Sequence, residues 1–250
     1  MGRSWRFVGR RRDRGRGRSS GGNSGGYLDV VNVLLSHGAS LNEHNVVGRT
    51  PLMKAACGGH VEVAKVLLER GASINTRSNE HNESALSVAS YKGHPELRLQ
   101  KVAQVAVVEL LLEYGAEINS STFPLPSPLE CAISNSHLDV TTLPIEAGGN
   151  INGAISNGNT YLMMAAGKGD QRMVELILGY GAAVDAEMEN GETALMISCK
   201  KGHTVAASVL LSYGANVEHM TADKRTPLME ASRAGHFTTA NLLIEKGARK

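Results

Sequence analysis

Gly38, Gly71, Gly115, Gly148, Gly181, Gly214 and Gly247 recur along this chain every 33 residues, with one interval of 44. Each follows a Leu-Leu-like pair and most precede alanine, as in Val66-Leu67-Leu68-Glu69-Arg70-Gly71-Ala72. A fixed period of this length specifies a stack of small supersecondary units, each touching only its neighbours, with no single globular core. The functional question therefore moves from a catalytic pocket to an extended recognition surface. A hydrophobic share of 42% with only 4% aromatics suits a core of Ala, Leu, Val and Ile between short helices.

The clearest unit runs from Gly48 to Asn75. Thr50 can cap a first helix with its hydroxyl, and Pro51 at the first helical position loses no useful N–H. Leu52, Ala55 and Ala56 give that helix a narrow apolar face, and Gly59-His60 turns the chain. A second helix carries Val61, Val63, Val66, Leu67 and Leu68, and Gly71 supplies a left-handed cap. Ser73-Ile74-Asn75 then leads into a polar hairpin. Neither helix is long enough to be stable alone, so each unit depends on its neighbours.

Thr50-Pro51-Leu52, Thr226-Pro227-Leu228 and Thr193-Ala194-Leu195 recur in phase with turn histidines His60, His94, His137, His203 and His236, most of them after glycine. On these motifs residues 27–250 resemble an ankyrin-repeat array, an all-α solenoid of about seven helix-turn-helix repeats joined by hairpin loops. Repeat ends fall near Asn42, Asn75, Asn119, Asn152, Asp185, Glu218 and Lys250. Met53, Met163, Met196 and Met229 stand where most such repeats carry histidine after Thr-Pro-Leu. With Gly-Arg-Thr-Pro-Leu-Met and Glu-Ser-Ala-Leu, this is similar to the multiple-ankyrin, single-KH-domain family, although no KH module with its Gly-x-x-Gly loop is present. The resemblance also implies that Asn42, Asn75, Asn119 and Asn152 occupy the hairpin position where similar repeats undergo asparaginyl hydroxylation.

Three departures from the period carry expectations. The opening repeat is incomplete: Tyr27 to Asn42 supplies a second helix and its cap, but Ser19 to Gly26 is polar and glycine-rich where a first helix belongs. The 44-residue interval holds eleven extra residues, one in the hairpin at Asn79 to Asn82 and ten placed at 97–106. Ten helical residues turn a face by about 280°, so the insertion is expected to form a protruding helical extension or a bulge. Pro144 replaces the first Leu of its pair, and an interior proline costs ~3 kcal/mol, so its helix is expected to shorten or kink near Leu143. The neighbouring hairpin, Phe123 to Pro128, is expected to be extended.

No apolar run approaches the ~18 residues of a membrane span, and no cofactor is implied. The five turn histidines repeat one layer apart and do not converge on a metal ion; each imidazole is expected to hydrogen-bond backbone in its own turn. Gly167-Lys168-Gly169 lacks the upstream glycine and following Ser/Thr of a phosphate loop. Cys57, Cys131 and Cys199 fall on first helices and read as small buried apolar residues, unpaired as in a reducing compartment. Cysteines, histidines and carboxylates are scattered periodically, so no enzyme is expected.

The resemblance places partner contacts on hairpin tips and on the exposed side of first helices. The concave set is Tyr91, Lys92, Lys168, Lys200, Lys201 and Arg233; the finger set is Arg49, Glu189, Asn190, Glu192, Lys224 and Arg225. The concave set is mostly basic, which selects an acidic or phosphorylated protein segment. Tyr114, Tyr180 and Tyr213 precede their glycines and are expected to pack on their own helix ends with hydroxyls in water. Residues 1–26 hold eight Arg against one Asp, a balance of +7 that leaves −5 for the array in a chain of net charge +2. This Arg/Gly/Ser-rich tail is expected to be disordered. Within it residues 3–18 offer RNA binding, nuclear import or an organelle transit signal as alternatives to a bland linker. The expected whole is a non-catalytic cytoplasmic or nuclear scaffold or adaptor. Because the array stops at Lys250 without a polar closing helix, a fragment of a larger scaffold is the expectation.

Overall fold

A computed structural model describes residues 24–91, 98–119, 126–155 and 158–249, with the side chains of 24–26 and 98–101 outside that description. The arginine-rich stretch before Ser24, Lys92, His94, the hairpin at 123–125 and Lys250 therefore lie outside the described residues. The described chain is all-helical, as the period requires; an isolated bridge between Ala154 and Thr160 is its one β-type pairing among them. It divides into two compact units, residues 1–120 and 121–250.

In the first unit, α1 (Ser24–Ser36) is a second-type helix without a described first helix before it, and it starts three residues ahead of Tyr27. Two helix pairs follow: α2 (Pro51–Gly58) with α3 (Val61–Glu69), and α4 (Ala85–Tyr91) with α5 (Arg98–Glu113). In the second unit four pairs stack. They are α6 (Pro128–Ser134) with α7 (Leu138–Glu146), α8 (Tyr161–Lys168) with α9 (Gln171–Gly179), α10 (Ala194–Lys201) with α11 (Thr204–Ser212), and α12 (Pro227–Arg233) with α13 (Phe237–Glu245).

Local chemistry sets both ends of each helix. Thr50, Thr160, Thr193 and Thr226 accept the N–H of the residue three ahead, at 3.3–3.4 Å, and that residue is the repeated methionine. In α2 and α8 the methionine also returns the bond, its Sδ accepting from the threonine N–H at 3.5 and 3.4 Å. A thioether thus takes the reciprocal role usually filled by Glu or Gln. The seven periodic glycines all adopt positive φ, from 79° to 101°, and close the second helices through bonds such as Gly71 N–H to Leu68 O. Between the pairs, tight hairpins are closed by Asn45 N–H to Arg49 O, Met188 N–H to Glu192 O and Thr221 N–H to Arg225 O. The corresponding bond from Ser78 N–H reaches Glu83, one residue further, and Asn82 takes φ 48° to absorb the extra residue.

One placement and one expectation are corrected here. The 97–106 insertion is helical from Arg98 and continuous with α5, the helical-extension alternative, but Gln104 within it is not an extra residue: it is buried at 4% exposure against α2 and α4. Counted back eleven residues from Gly115, Gln104 holds the register of His60, His203 and His236 before their own glycines. The added length therefore extends α5 at its N-terminal end. Pro144 does not shorten its helix. α7 has nine residues, the same as α3, α9, α11 and α13. Pro144 has no N–H for Val140, but its ring is buried, and Ala147, Gly148 and Gly149 N–H groups close the last turn on Leu143, Ile145 and Pro144 carbonyls.

Candidate functional site

Three of the four first helices of the second unit carry cations in their last turn: Lys168 on α8, Lys200 and Lys201 on α10, and Arg233 on α12, whereas α6 carries none. Positive charge at a helix C-terminus is favoured by the exposed carbonyls there. All four side chains are exposed, and the stacking of α8, α10 and α12 sets them on three consecutive layers. Lys168 Nζ donates to the Ser134 carbonyl of the layer before it. Lys201 leans the same way, its Nζ lying 3.6 Å from where a Cβ on Gly167 would stand. The result is a basic ledge in which Lys168 bonds the preceding layer, Lys201 lies against it, and Lys200 pairs with Glu192 of its own repeat. In the first unit Tyr91 is 51% exposed at the corresponding end of α4.

The finger set is placed less uniformly. Glu189, Asn190 and Lys224 are exposed at hairpin tips, with Lys224 at φ 58°. Arg49 is held inward by a 2.7 Å ion pair to Glu83, each side chain 22% exposed. Arg225 pairs with Glu230 at 3.0 Å and with Asp223 at 3.5 Å. Glu192, expected at a tip, is buried: its carboxylate accepts from Lys200 Nζ at 3.1 Å. Burial alone would raise its pKa, but bonds from Lys200 and Asn190 and the charges of Lys200 and Arg225 outweigh it, and the net direction is down. A depressed carboxylate contributes stability above its unfolded value, and that contribution fades as pH falls through the folded one. Glu192→Gln is thus expected to lower the urea midpoint at pH 7, by under about 1 kcal/mol because Lys200 is half exposed. The gap from wild type should close as pH falls below the ordinary carboxylate range. Glu130 acts oppositely: burial raises its pKa, so its contribution is present at low pH and lost as pH rises.

Two of the turn histidines, His203 and His236, bond backbone across layers. His203 Nε2–H donates to Gly167 O and His236 Nε2–H to Lys200 O, both at 3.2 Å. Gln104 fills the same slot in the first unit, donating to Ala56 O at 3.0 Å and Ala89 O at 2.7 Å. Counting backward from the closing glycine reveals this residue; counting forward from His94 hides it. Tyr180 also departs from expectation, its hydroxyl donating to Glu146 of the preceding layer at 2.7 Å. Hairpin asparagines serve as rungs: Asn42, Asn75 and Asn152 Oδ1 accept the N–H of Ser73, Glu117 and Ala183 at 2.8–2.9 Å.

Cys131 and Cys199 are buried and form no disulfide, and burial pushes the Cys199 thiol up to about 12, which leaves it inert. Cys57 is half-buried and likewise forms none. Among the described residues there is no group of three His, Cys, Asp or Glu able to hold a metal, and no helix long and apolar enough to cross a membrane.

Comparison with known proteins agrees with this architecture. The family described as Ankyrin repeats (3 copies) matches residues 22–122, 99–188 and 162–250. The crystal structure of the human ASB11 ankyrin repeat domain is similar over 91% of this chain and 96% of that one, with TM-score 0.74 and 25% identity. A Caenorhabditis elegans homolog of transient receptor potential cation channel subfamily A member 1 is 26% identical over 151 residues. That stretch is 60% of this chain but 12% of the worm protein's length.

Proposed function

The chain belongs to the ankyrin-repeat family, and from that premise we propose that it is a non-catalytic scaffold whose second unit binds an acidic or phosphorylated segment of a partner protein. Repeats of this family generally mediate protein–protein interaction. The observation that carries the finer reading is the basic ledge of Lys168, Lys200, Lys201 and Arg233 on consecutive layers. The rest of the array is net acidic, so these cations are concentrated where first-helix ends face solvent. Exposed charge so arranged speeds encounter and selects sign more than it adds affinity. Glu189, Asn190 and Lys224 extend the contact at the hairpin tips. Arg49, Glu192 and Arg225 set hairpin geometry instead, through their ion pairs. The reading locates the protein in the cytosol or nucleus, a reducing setting suited to unpaired thiols. The likeness to multiple-ankyrin, single-KH-domain arrays rests on the methionine positions together with the Gly-Arg-Thr-Pro-Leu-Met and Glu-Ser-Ala-Leu motifs.

The test is affinity purification with mass spectrometry, comparing wild type with Lys200→Ala/Lys201→Ala/Arg233→Ala. The triple variant is expected to lose the partners that wild type retains, with the loss mimicked by raising salt. Retention of the same partners at the same yield by a folded variant would dismiss the ledge.

A further inference from the structure

The four ledge cations fall into two columns, one residue apart. Lys168 and Lys201 each stand eight residues after the threonine that caps their helix, Thr160 or Thr193, so they hold the same place in successive layers. Both lean back by one layer. Lys168 Nζ donates to the Ser134 carbonyl, and Lys201 Nζ lies beside Gly167, the residue in register with Ser134. Because the lean is shared, the two ammonium groups stay one layer apart. Lys200 and Arg233 stand seven residues after Thr193 and Thr226, but their surroundings differ. Lys200 is held at 3.1 Å by Glu192, the residue before Thr193. The residue before Thr226 is Arg225, whose own charge is taken up by Glu230 and Asp223, so no carboxylate stands there for Arg233. Each of the three layers thus presents one cation without an ion pair among the described residues: Lys168, Lys201 and Arg233.

This spacing selects the conformation of what binds. Helices α8, α10 and α12 pack side by side, and packed helices lie about 8–10 Å apart. A chain that meets one cation per layer brings an anionic side chain to the same face at that interval. A β-strand returns to one face after two residues, at about 6.6 Å, or after four, at about 13 Å, and misses both ways. An α-helix returns after seven residues, at about 10.5 Å, just beyond the range. A polyproline-II chain, with about three residues per turn and a rise of ~3.1 Å, returns after ~9.3 Å and fits. Charge selects the anion. One unpaired cation per layer matches a carboxylate, whereas a phosphate of about −1.5 to −2 calls for a second cation, and Lys200 is already bonded to Glu192.

We propose that the ledge binds a polyproline-II segment of a partner protein with Asp or Glu at every third residue, its carboxylates meeting Lys168, Lys201 and Arg233 in turn. The proposal rests on the reading of the ledge as the partner-binding surface and adds the conformation and register of what it holds.

The test measures fluorescence anisotropy of labelled peptides with the full chain. Three repeats of Glu-Pro-Pro are compared with isomers of the same composition whose glutamates are adjacent or alternate, and with an alanine-based helix carrying glutamate every seventh residue. The every-third peptide is expected to bind roughly tenfold tighter than its isomers, because exposed ion pairs worth a few-fold each form together only in that register. Lys201→Ala should weaken it a few-fold, and Glu→Gln at the middle glutamate should then cost nothing further. The Lys201 side chain is exposed, so the variant keeps its fold. Equal affinity for all the isomers overturns the proposed register while leaving an acidic partner in place. Tighter binding of the helical peptide, or at least tenfold tighter binding of a version with phosphoserine for glutamate, overturns the conformation or the anion. Binding no stronger than that of an all-glutamine control, for every acidic peptide, overturns the ledge itself and the proposal with it.

Discussion

Gly202→Ala is expected to destabilise the second unit by roughly 3 kcal/mol, while Gly235→Ala costs only ~1–2 kcal/mol. Both glycines sit at nearly the same positive φ, 73° and 76°, so the backbone strain of a side chain is shared. What differs is the space. A Cβ on Gly202 would lie 2.5 Å from Nδ1 of His236, and relieving that overlap means moving a ring whose Nε2–H is bonded to Lys200 O. A Cβ on Gly235 has no neighbour within 4 Å. The difference between the two substitutions therefore isolates the seating of one imidazole between two layers. Urea unfolding followed by circular dichroism measures it directly. Equal losses at both positions would mean that the histidine slot contributes nothing beyond backbone conformation.

Met196→Ala is expected to cost ~2–5 kcal/mol, and Met229→Ala less than about 1 kcal/mol, although the two residues hold the same place in successive repeats. Met196 is fully buried, so truncation removes apolar contact and leaves a cavity that short helices with capped ends cannot readily close. Its backbone N–H still finds Thr193 Oγ1, so the cap survives and the loss reports packing alone. Met229 keeps the equivalent cap from Thr226, but more than half of its side chain faces solvent. A loss at Met229 as large as that at Met196 would contradict the burial just described. Because neighbouring layers in a repeat stack share stability through their interfaces, the Met196 loss should also lower protection of α8 and α12 in hydrogen exchange.

The parts of this fold written in local chemistry were legible in the sequence. Closing glycines, threonine caps, Pro at the first helical position and the lengthened hairpin at Asn79 to Asn82 each depend on a few neighbouring residues, and each stands where the pattern puts it. What was misread depends on contacts between layers. The insertion was anchored on His94, whereas Gln104 is the residue that reaches the Ala56 and Ala89 carbonyls, so the register runs back from Gly115. Pro144 was judged by the cost of a lost bond in an isolated helix, yet its buried ring and the three closing N–H groups after it retain all nine residues. Glu192 belongs to the finger set that the resemblance places at hairpin tips. Lys200, two helical turns on, brings its ammonium back to that carboxylate, and burial follows. The exposed cations Lys168, Lys200, Lys201 and Arg233 were legible because the last turns of α8, α10 and α12 face solvent.

Carbodiimide cross-linking of the captured complex tests the account's central claim most directly, because it joins lysine amines to carboxylates in contact with them. The expected result is cross-links from Lys168, Lys200 or Lys201 to an Asp/Glu-rich segment of the partner, or protection of those amines from acetylation by a phosphorylated one. Cross-links confined to lysines away from the ledge, such as Lys65 or Lys246, with Lys168, Lys200 and Lys201 still fully reactive in the complex, would contradict it.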